Sequence, residues 1–240
     1  KRGISAQIVH GDPALRPIPY QVALNLIIDG ENLIWCGGTI IGRNFVLTAM
    51  HCFDQNPYQM FTVAAGAYTI VQTKSETGST QLRRIKRLHF PLGYNNRTRA
   101  YQRRSEKSND IAIIELDEPF EFNENVGPAC LPNAEQMPRS GCLISGWGKV
   151  ESLKYPRVLQ RATVSVFPLE ECGYDLTYLN ANMVCAGGNN KDSCQADSGG
   201  PLVCEHFGKA VVVGITSWGK GCGLDKVYGV YTNVHFYLDF

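Results

Sequence analysis

Short runs of β-branched and aromatic residues, each closed off by turn residues, recur along the whole chain, while sustained helical periodicity is almost absent. The clearest runs are Tyr20 to Ile28, Gly38 to Thr48, Ile111 to Leu116, Gln160 to Val166 and Ala210 to Ser217, and these are the expected strands. Leu169 to Tyr174 and the last few residues are the only modest helical candidates. With 240 residues the chain can bury a large core, so the pattern predicts an all-β fold of barrels or sandwiches, as one generous domain or two small ones. The stretch Asp117 to Pro128, rich in Pro, Asn and acidic side chains, is the expected connector between an N-terminal and a C-terminal half.

Nine cysteines are too many for an ordinary cytosolic enzyme, and their wide spacing lacks the paired short intervals of a structural zinc site. An oxidising, extracellular compartment follows, and with it a secreted protein. Because nine is odd, at least one thiol stays free or pairs outside the chain. The formal net charge of +1 does not fit a nucleic-acid binder. No stretch reaches the roughly 18 uninterrupted apolar residues of a membrane span, and Lys1 to Gln7 is too short and polar for a signal peptide. The chain reads as a processed, soluble product.

One segment differs from the rest in composition. Asn95 to Lys107 carries Arg97, Arg99, Arg103, Arg104 and Lys107 with hardly an apolar side chain, as expected of a solvated loop, whether a plain soluble surface or a binding site. Within it Asn96-Arg97-Thr98 is a glycosylation sequon, either used or a chance match.

A serine hydroxyl is a poor nucleophile at neutral pH. A hydrolase built on one needs a nearby base, a group that orients the base, and N–H donors for the oxyanion. Cys194-Gln195-Ala196-Asp197-Ser198-Gly199-Gly200-Pro201 places a serine in a glycine-rich turn where backbone amides can converge. Leu47-Thr48-Ala49-Met50-His51-Cys52 ends a strand with a histidine beside a cysteine. Asn109-Asp110-Ile111-Ala112-Ile113-Ile114 puts an aspartate at the start of a strand apolar enough to be buried, where an unpaired carboxylate is costly. Asp110 therefore needs a partner, and the ring N–H of neutral His51 is one.

These three segments resemble the histidine, aspartate and serine motifs of the chymotrypsin-trypsin family, in the family's chain order. The resemblance covers nearly the whole chain from Ile8 onward and extends to Trp35-Cys36-Gly37-Gly38-Thr39, Ser145-Gly146-Trp147-Gly148 and Ser217-Trp218-Gly219. It implies two packed six-stranded antiparallel β-barrels with a short C-terminal helix and the active site in the cleft between them. Residues 1–7 would be a residual propeptide and 8–240 the peptidase domain. The first barrel would span about 8–116, the connector about 117–128 and the second barrel about 129–240. By similarity, His51, Asp110 and Ser198 form the catalytic triad, and the N–H groups of Ala196 and Ser198 form the oxyanion hole.

The resemblance also pairs Cys36 with Cys52, Cys142 with Cys204, Cys172 with Cys185 and Cys194 with Cys222. Cys130 is left over, either tethering an upstream propeptide or light chain or remaining a free, partly buried thiol. Asp192, six residues before the nucleophile, falls at the bottom of the primary pocket, with Ser193 beside it and Gly219 and Gly229 as open walls. Cleavage after Arg or Lys is expected, with Ser217 to Gly219 as the edge strand pairing the substrate backbone. Expected partners are protein substrates and protein inhibitors, with no nucleic acid and no membrane span. No cofactor is required. Tyr228 stands where relatives with an aromatic residue bind sodium, and Ala67 stands where calcium-binding relatives carry a glutamate.

Two departures bear on activity. Ala196 replaces the glycine whose N–H points at the oxyanion, and its Cβ restricts the backbone there. Family members are cut before an Ile-Val dipeptide, here Ile8-Val9, freeing an ammonium that pairs with the aspartate beside the nucleophile, here Asp197. The residue before the cut is usually Arg or Lys, but here it is Gln7. The chain as written is thus expected to be a zymogen of a trypsin-like endopeptidase. The alternative is a weakly active or inactive homologue that acts as a binding or cofactor protein.

Overall fold

A computed structural model of the chain describes residues 11–28, 31–69, 80–91, 109–133, 139–148, 158–188, 197–219 and 227–240. Six strands close into a first antiparallel barrel: β2 (Gln21–Ile28), β3 (Glu31–Gly42), β4 (Phe45–Thr48), β5 (Phe61–Ala65), β6 (Gln81–His89) and β7 (Ala112–Leu116), in the order β2-β3-β4-β7-β6-β5. Six more form the second: β8 (Cys142–Gly146), β9 (Gln160–Phe167), β10 (Met183–Gly187), β11 (Pro201–His206), β12 (Lys209–Trp218) and β13 (Gly229–Asn233). Their order is β9-β10-β13-β12-β11-β8, and pairing of β8 back onto β9 closes the ring. The two-residue strand β1 (Asp12–Pro13) adds to β9, so the N-terminal segment reaches across to the second barrel.

The expected run Gly38 to Thr48 is a hairpin rather than one strand, because the polar pair Arg43-Asn44 turns the chain between β3 and β4. The helical candidates are realised as 3-10 turns at Leu169–Glu171 and Val234–Tyr237. Alternation along β9, QRATVSVF, sends Ala162 and Val164 inward against Ile144, Leu202 and Tyr231 of the second core. The first core gathers Val22, Leu24, Leu26, Ile40, Phe61 and Ile114.

Between the barrels, Trp147 is fully buried against Ala23 and Ala64, and its indole N–H donates to the Tyr68 carbonyl at 3.3 Å. Beside it the Ser145 hydroxyl donates to the Gln21 amide oxygen at 2.6 Å, so these two buried polar side chains, one from each barrel, satisfy each other. Three disulfides, Cys36–Cys52, Cys142–Cys204 and Cys172–Cys185, are formed as the resemblance implied. Cys194 and Cys222 lie outside the described residues. Cys130 is exposed, not partly buried, because its backbone pairs with Ala210 and Val212 at the edge of the second barrel. No helix among the described residues is long and apolar enough to cross a membrane.

Candidate active site

The register of β4 on β7 sets the first half of the site. Thr48 faces Ala112 at the last paired position, so the residues just past the end of β4 meet those just before β7. His51 follows on a 3-10 turn, Met50–Phe53, and Asp110 precedes β7. The His51 ring Nδ1 and backbone N–H bond to the two Asp110 carboxylate oxygens, at 2.8 Å to Oδ2 and 3.0 Å to Oδ1. The Ser217 hydroxyl also donates to Oδ2. Burial opposes ionisation of Asp110, but the His51 charge and these hydrogen bonds outweigh it and hold the carboxyl below its ordinary range. Burial likewise opposes the imidazolium, yet the Asp110 charge and hydrogen bond, with a smaller contribution from Asp54, raise the His51 pKa above that of a free imidazole.

Ser217 reaches Asp110 because β12 carries a bulge. Its register against β13 shifts between Thr216 and Trp218, and the extra residue re-aims the hydroxyl toward the first barrel. The same strand fixes the nucleophile turn: Gly199 N–H donates to the Thr216 carbonyl at 2.8 Å, and Thr216 N–H to the Gly200 carbonyl at 2.9 Å. Across the cleft, Gly37 N–H donates to the Ser198 carbonyl at 2.7 Å, and the Thr48 hydroxyl donates to the Gly37 carbonyl at 2.8 Å. Cys52 Sγ lies 3.9 Å from the same Ser198 carbonyl oxygen, so Ser198 sits beside the disulfide that follows His51. His51 and Asp110 are thus joined from the ends of β4 and β7, and the backbone of Ser198, in the turn before β11, is held beside the Cys36–Cys52 disulfide.

Asp197 is 2% exposed, and its Oδ1 accepts the Gly148 N–H at 2.9 Å. A Cβ at Gly148 would stand 2.5 Å from the Asp197 carboxyl carbon, and one at Gly146 would come closer still to Oδ1. The Ser145-Gly146-Trp147-Gly148 segment, quoted above only as a motif, is a cradle for that carboxylate. Gly199 has φ +75, and its Cβ would run into the Thr48 hydroxyl. Gly208, at the β11-β12 hairpin, has φ +72 with nothing within 4 Å. Gly208→Ala should therefore cost about 1–2 kcal/mol of strain alone, and Gly199→Ala a further 1–3 kcal/mol, roughly, for overpacking. Urea unfolding of both variants checks this, and equal losses would refute the contact.

Of the remaining expected site residues, Gly219 is exposed just past the end of β12 and Gly229 is buried opposite Ala186 on β10. Trp218 packs edge-on against Tyr174, with ring centroids 5.0 Å apart. Tyr228 stacks flat on Phe167 at 4.0 Å. Gln7, Ile8, Asn96, Asp192, Ser193 and Ala196 lie outside the described residues. The cluster Cys36, His51 and Cys52 brings three donor atoms together, but both sulfurs are spent in a disulfide, so it is no metal centre.

The family model described as Trypsin matches residues 8–240. Transmembrane protease serine 9 of Rattus norvegicus is 39% identical over 244 residues, which cover 96% of this chain and 21% of that protein. Coagulation factor IX of Oryctolagus cuniculus is 36% identical over 244 residues, covering 97% and 82%. Among solved structures, neuropsin, a serine protease expressed in the limbic system of mouse brain, superposes with a TM-score of 0.80 at 32% identity over 96% of each chain. The chain spans about a fifth of the first of these relatives.

Proposed function

Because this chain belongs to the trypsin family of serine proteases, we propose that it is a secreted endopeptidase, made as a zymogen, that cleaves protein substrates after Arg or Lys. The observation that carries the reading is the Asp110–His51 pair at 2.8 Å, with the Ser198 carbonyl held next to Cys52, the residue after His51. Neutral His51 accepts the Ser198 proton as Oγ attacks the scissile carbonyl, and returns it to the leaving amine. Asp110 holds the Nδ1–H tautomer and stabilises the imidazolium. The raised His51 pKa means that activity is gained as pH rises through a value above about 6.5. The N–H groups of Ala196 and Ser198 take the oxyanion, Asp192 with Ser193 receives the basic side chain between Gly219 and Gly229, and the Ser217–Gly219 backbone pairs with the substrate.

The disulfides support secretion. Exposed Cys130 is the point at which an upstream propeptide or light chain would be tethered, and Asn96 is the proposed glycan site. A sodium ion near Tyr228 remains part of the reading, supported by that residue's identity, and no cofactor is needed for the steps above.

In this reading activation acts through Asp197, buried against Gly146 and Gly148, which would pair with the ammonium freed at Ile8. Release of the Ile8 N-terminus by an engineered cleavage should turn a nearly silent chain into one that hydrolyses arginyl peptides and reacts with a covalent serine reagent. A second reading, a homologue with little turnover that acts by binding, is favoured by Ala196 and Gln7. The two part on Ala196→Gly after cleavage. A rise in kcat, up to about a hundredfold, with KM little changed supports a working but handicapped oxyanion hole, and no turnover in either form supports the binding protein.

A further inference from the structure

Asn109, the residue immediately before Asp110, has φ +74, one of two non-glycine residues with positive φ among those described. Its carbonyl accepts the Ile111 N–H at 2.8 Å, so the chain makes a tight three-residue turn around Asp110 as it delivers that residue to His51. Asparagine adopts this conformation more readily than other non-glycine residues, because its short polar side chain can be hydrogen-bonded in place. The holding group comes from the far end of the chain. The Tyr237 hydroxyl donates to Asn109 Oδ1 at 2.8 Å, and the Asn182 amide donates to the Tyr237 oxygen at 2.8 Å. A hydroxyl has one proton, so a donor from Asn182 leaves the tyrosine proton for Asn109.

We propose that Tyr237 is a positioning residue for Asp110, acting through Asn109. Its 3-10 turn is anchored independently of the catalytic pair. Val234 is buried in a core cluster that joins first-barrel residues to Val203, Val212 and Ile215 of the second, and Asn233 N–H donates to the Asn182 carbonyl at 2.8 Å. From β13 itself the Thr232 hydroxyl donates to the Asp110 carbonyl at 2.8 Å. The backbone on both sides of the Asp110 nitrogen is thereby fixed from the second barrel, while its carboxylate is met by His51 and Ser217. Burial raises the Tyr237 pKa, so the hydroxyl remains a donor throughout the neutral range.

The inference rests on the proposed triad, and the test separates the two. Tyr237→Phe keeps the ring and removes the proton. Nuclear magnetic resonance of the His51 Nδ1 proton, followed against pH, reads the ring's pKa without any turnover. Two acidic groups, Asp110 and Asp54, act on that ring, and Asp110 acts more strongly. Because Asp110 raises the pKa, a loosened Asp110 lowers it. The expected result is a downward shift of about half a unit to one unit. In the Ile8-released enzyme kcat should fall about tenfold, the acidic limb should move to lower pH, and KM should hold within roughly twofold. In an Asn109→Gly background, Tyr237→Phe should add no further loss. A variant that only melts earlier, with pKa and kcat unchanged, overturns the proposal, as does full additivity with Asn109→Gly. A shifted His51 pKa in a chain whose wild type never turns over upholds the positioning role and overturns the protease reading instead.

Discussion

Asp110→Asn is expected to lower kcat about ten-thousandfold while KM changes little. Three donors converge on the Asp110 carboxylate: His51 Nδ1–H, His51 backbone N–H and the Ser217 hydroxyl. A carboxylate accepts all three. An asparagine at the same place offers one acceptor oxygen and an NH2 that faces a donor. If the amide turns its NH2 toward the ring, the imidazole must accept at Nδ1 and carry its proton on Nε2, where it can no longer take the proton of Ser198. If it turns its oxygen toward the ring, the NH2 meets the backbone N–H of His51, and no negative charge remains to stabilise the imidazolium. The first arrangement removes the base, and the second leaves it without the charge that stabilises its protonated form. In the proposed reading substrate is held by Asp192, Ser193 and the Ser217–Gly219 backbone rather than by the Asp110 carboxylate, which is why KM should hold. Steady-state kinetics on the Ile8-released enzyme checks this, and a loss smaller than tenfold would mean that His51 is not oriented through Asp110.

The fold class and the barrel strands were legible because alternation and turn residues are local signals. Gln160 to Val166 carries its inward face in its own spelling, whereas Tyr20 to Ile28 is legible as an apolar run buried on both faces through Leu26. What Arg43-Asn44 does to the run Gly38 to Thr48 was also local but weak, since both residues are tolerated in strands as well as turns. The Ser217 bulge was out of reach. A bulge is a mismatch between two strands, and neither β12 nor β13 alone records it. The triad residues could be named from their motifs and the buried-carboxylate argument, yet the devices that hold them could not. Tyr237 is 128 positions from Asn109, and nothing short of the closed barrels brings them together. Gly146 and Gly148 were visible as letters, but their reason, the Asp197 carboxylate pressed onto their α-carbons, exists only in three dimensions. The leftover cysteine followed from an odd count. Its exposure did not, because it depends on pairing between Cys130 and the strand at Ala210.

Asp192→Ser is expected to reduce kcat/KM on arginyl and lysyl peptides by about ten-thousandfold, with little effect on the slow cleavage of substrates bearing a small apolar side chain. Under the proposed specificity, a guanidinium or ammonium entering the pocket gives up its water and recovers the loss from one carboxylate. Serine can accept a hydrogen bond but carries no charge, so the cation would be left desolvated and unpaired, which costs several kcal/mol rather than the roughly 1 kcal/mol of an ordinary hydrogen bond. In the free enzyme this reading makes Asp192 a carboxylate still awaiting its cation, so Asp192→Ser should melt no earlier than the wild type. That pairing of outcomes, a large loss on basic substrates without a loss of stability, distinguishes a substrate-binding carboxylate from one satisfied within the fold. If Asp192 were held by a partner in its own chain, removing it would strand that partner, lower the melting temperature and leave the preference for Arg and Lys intact.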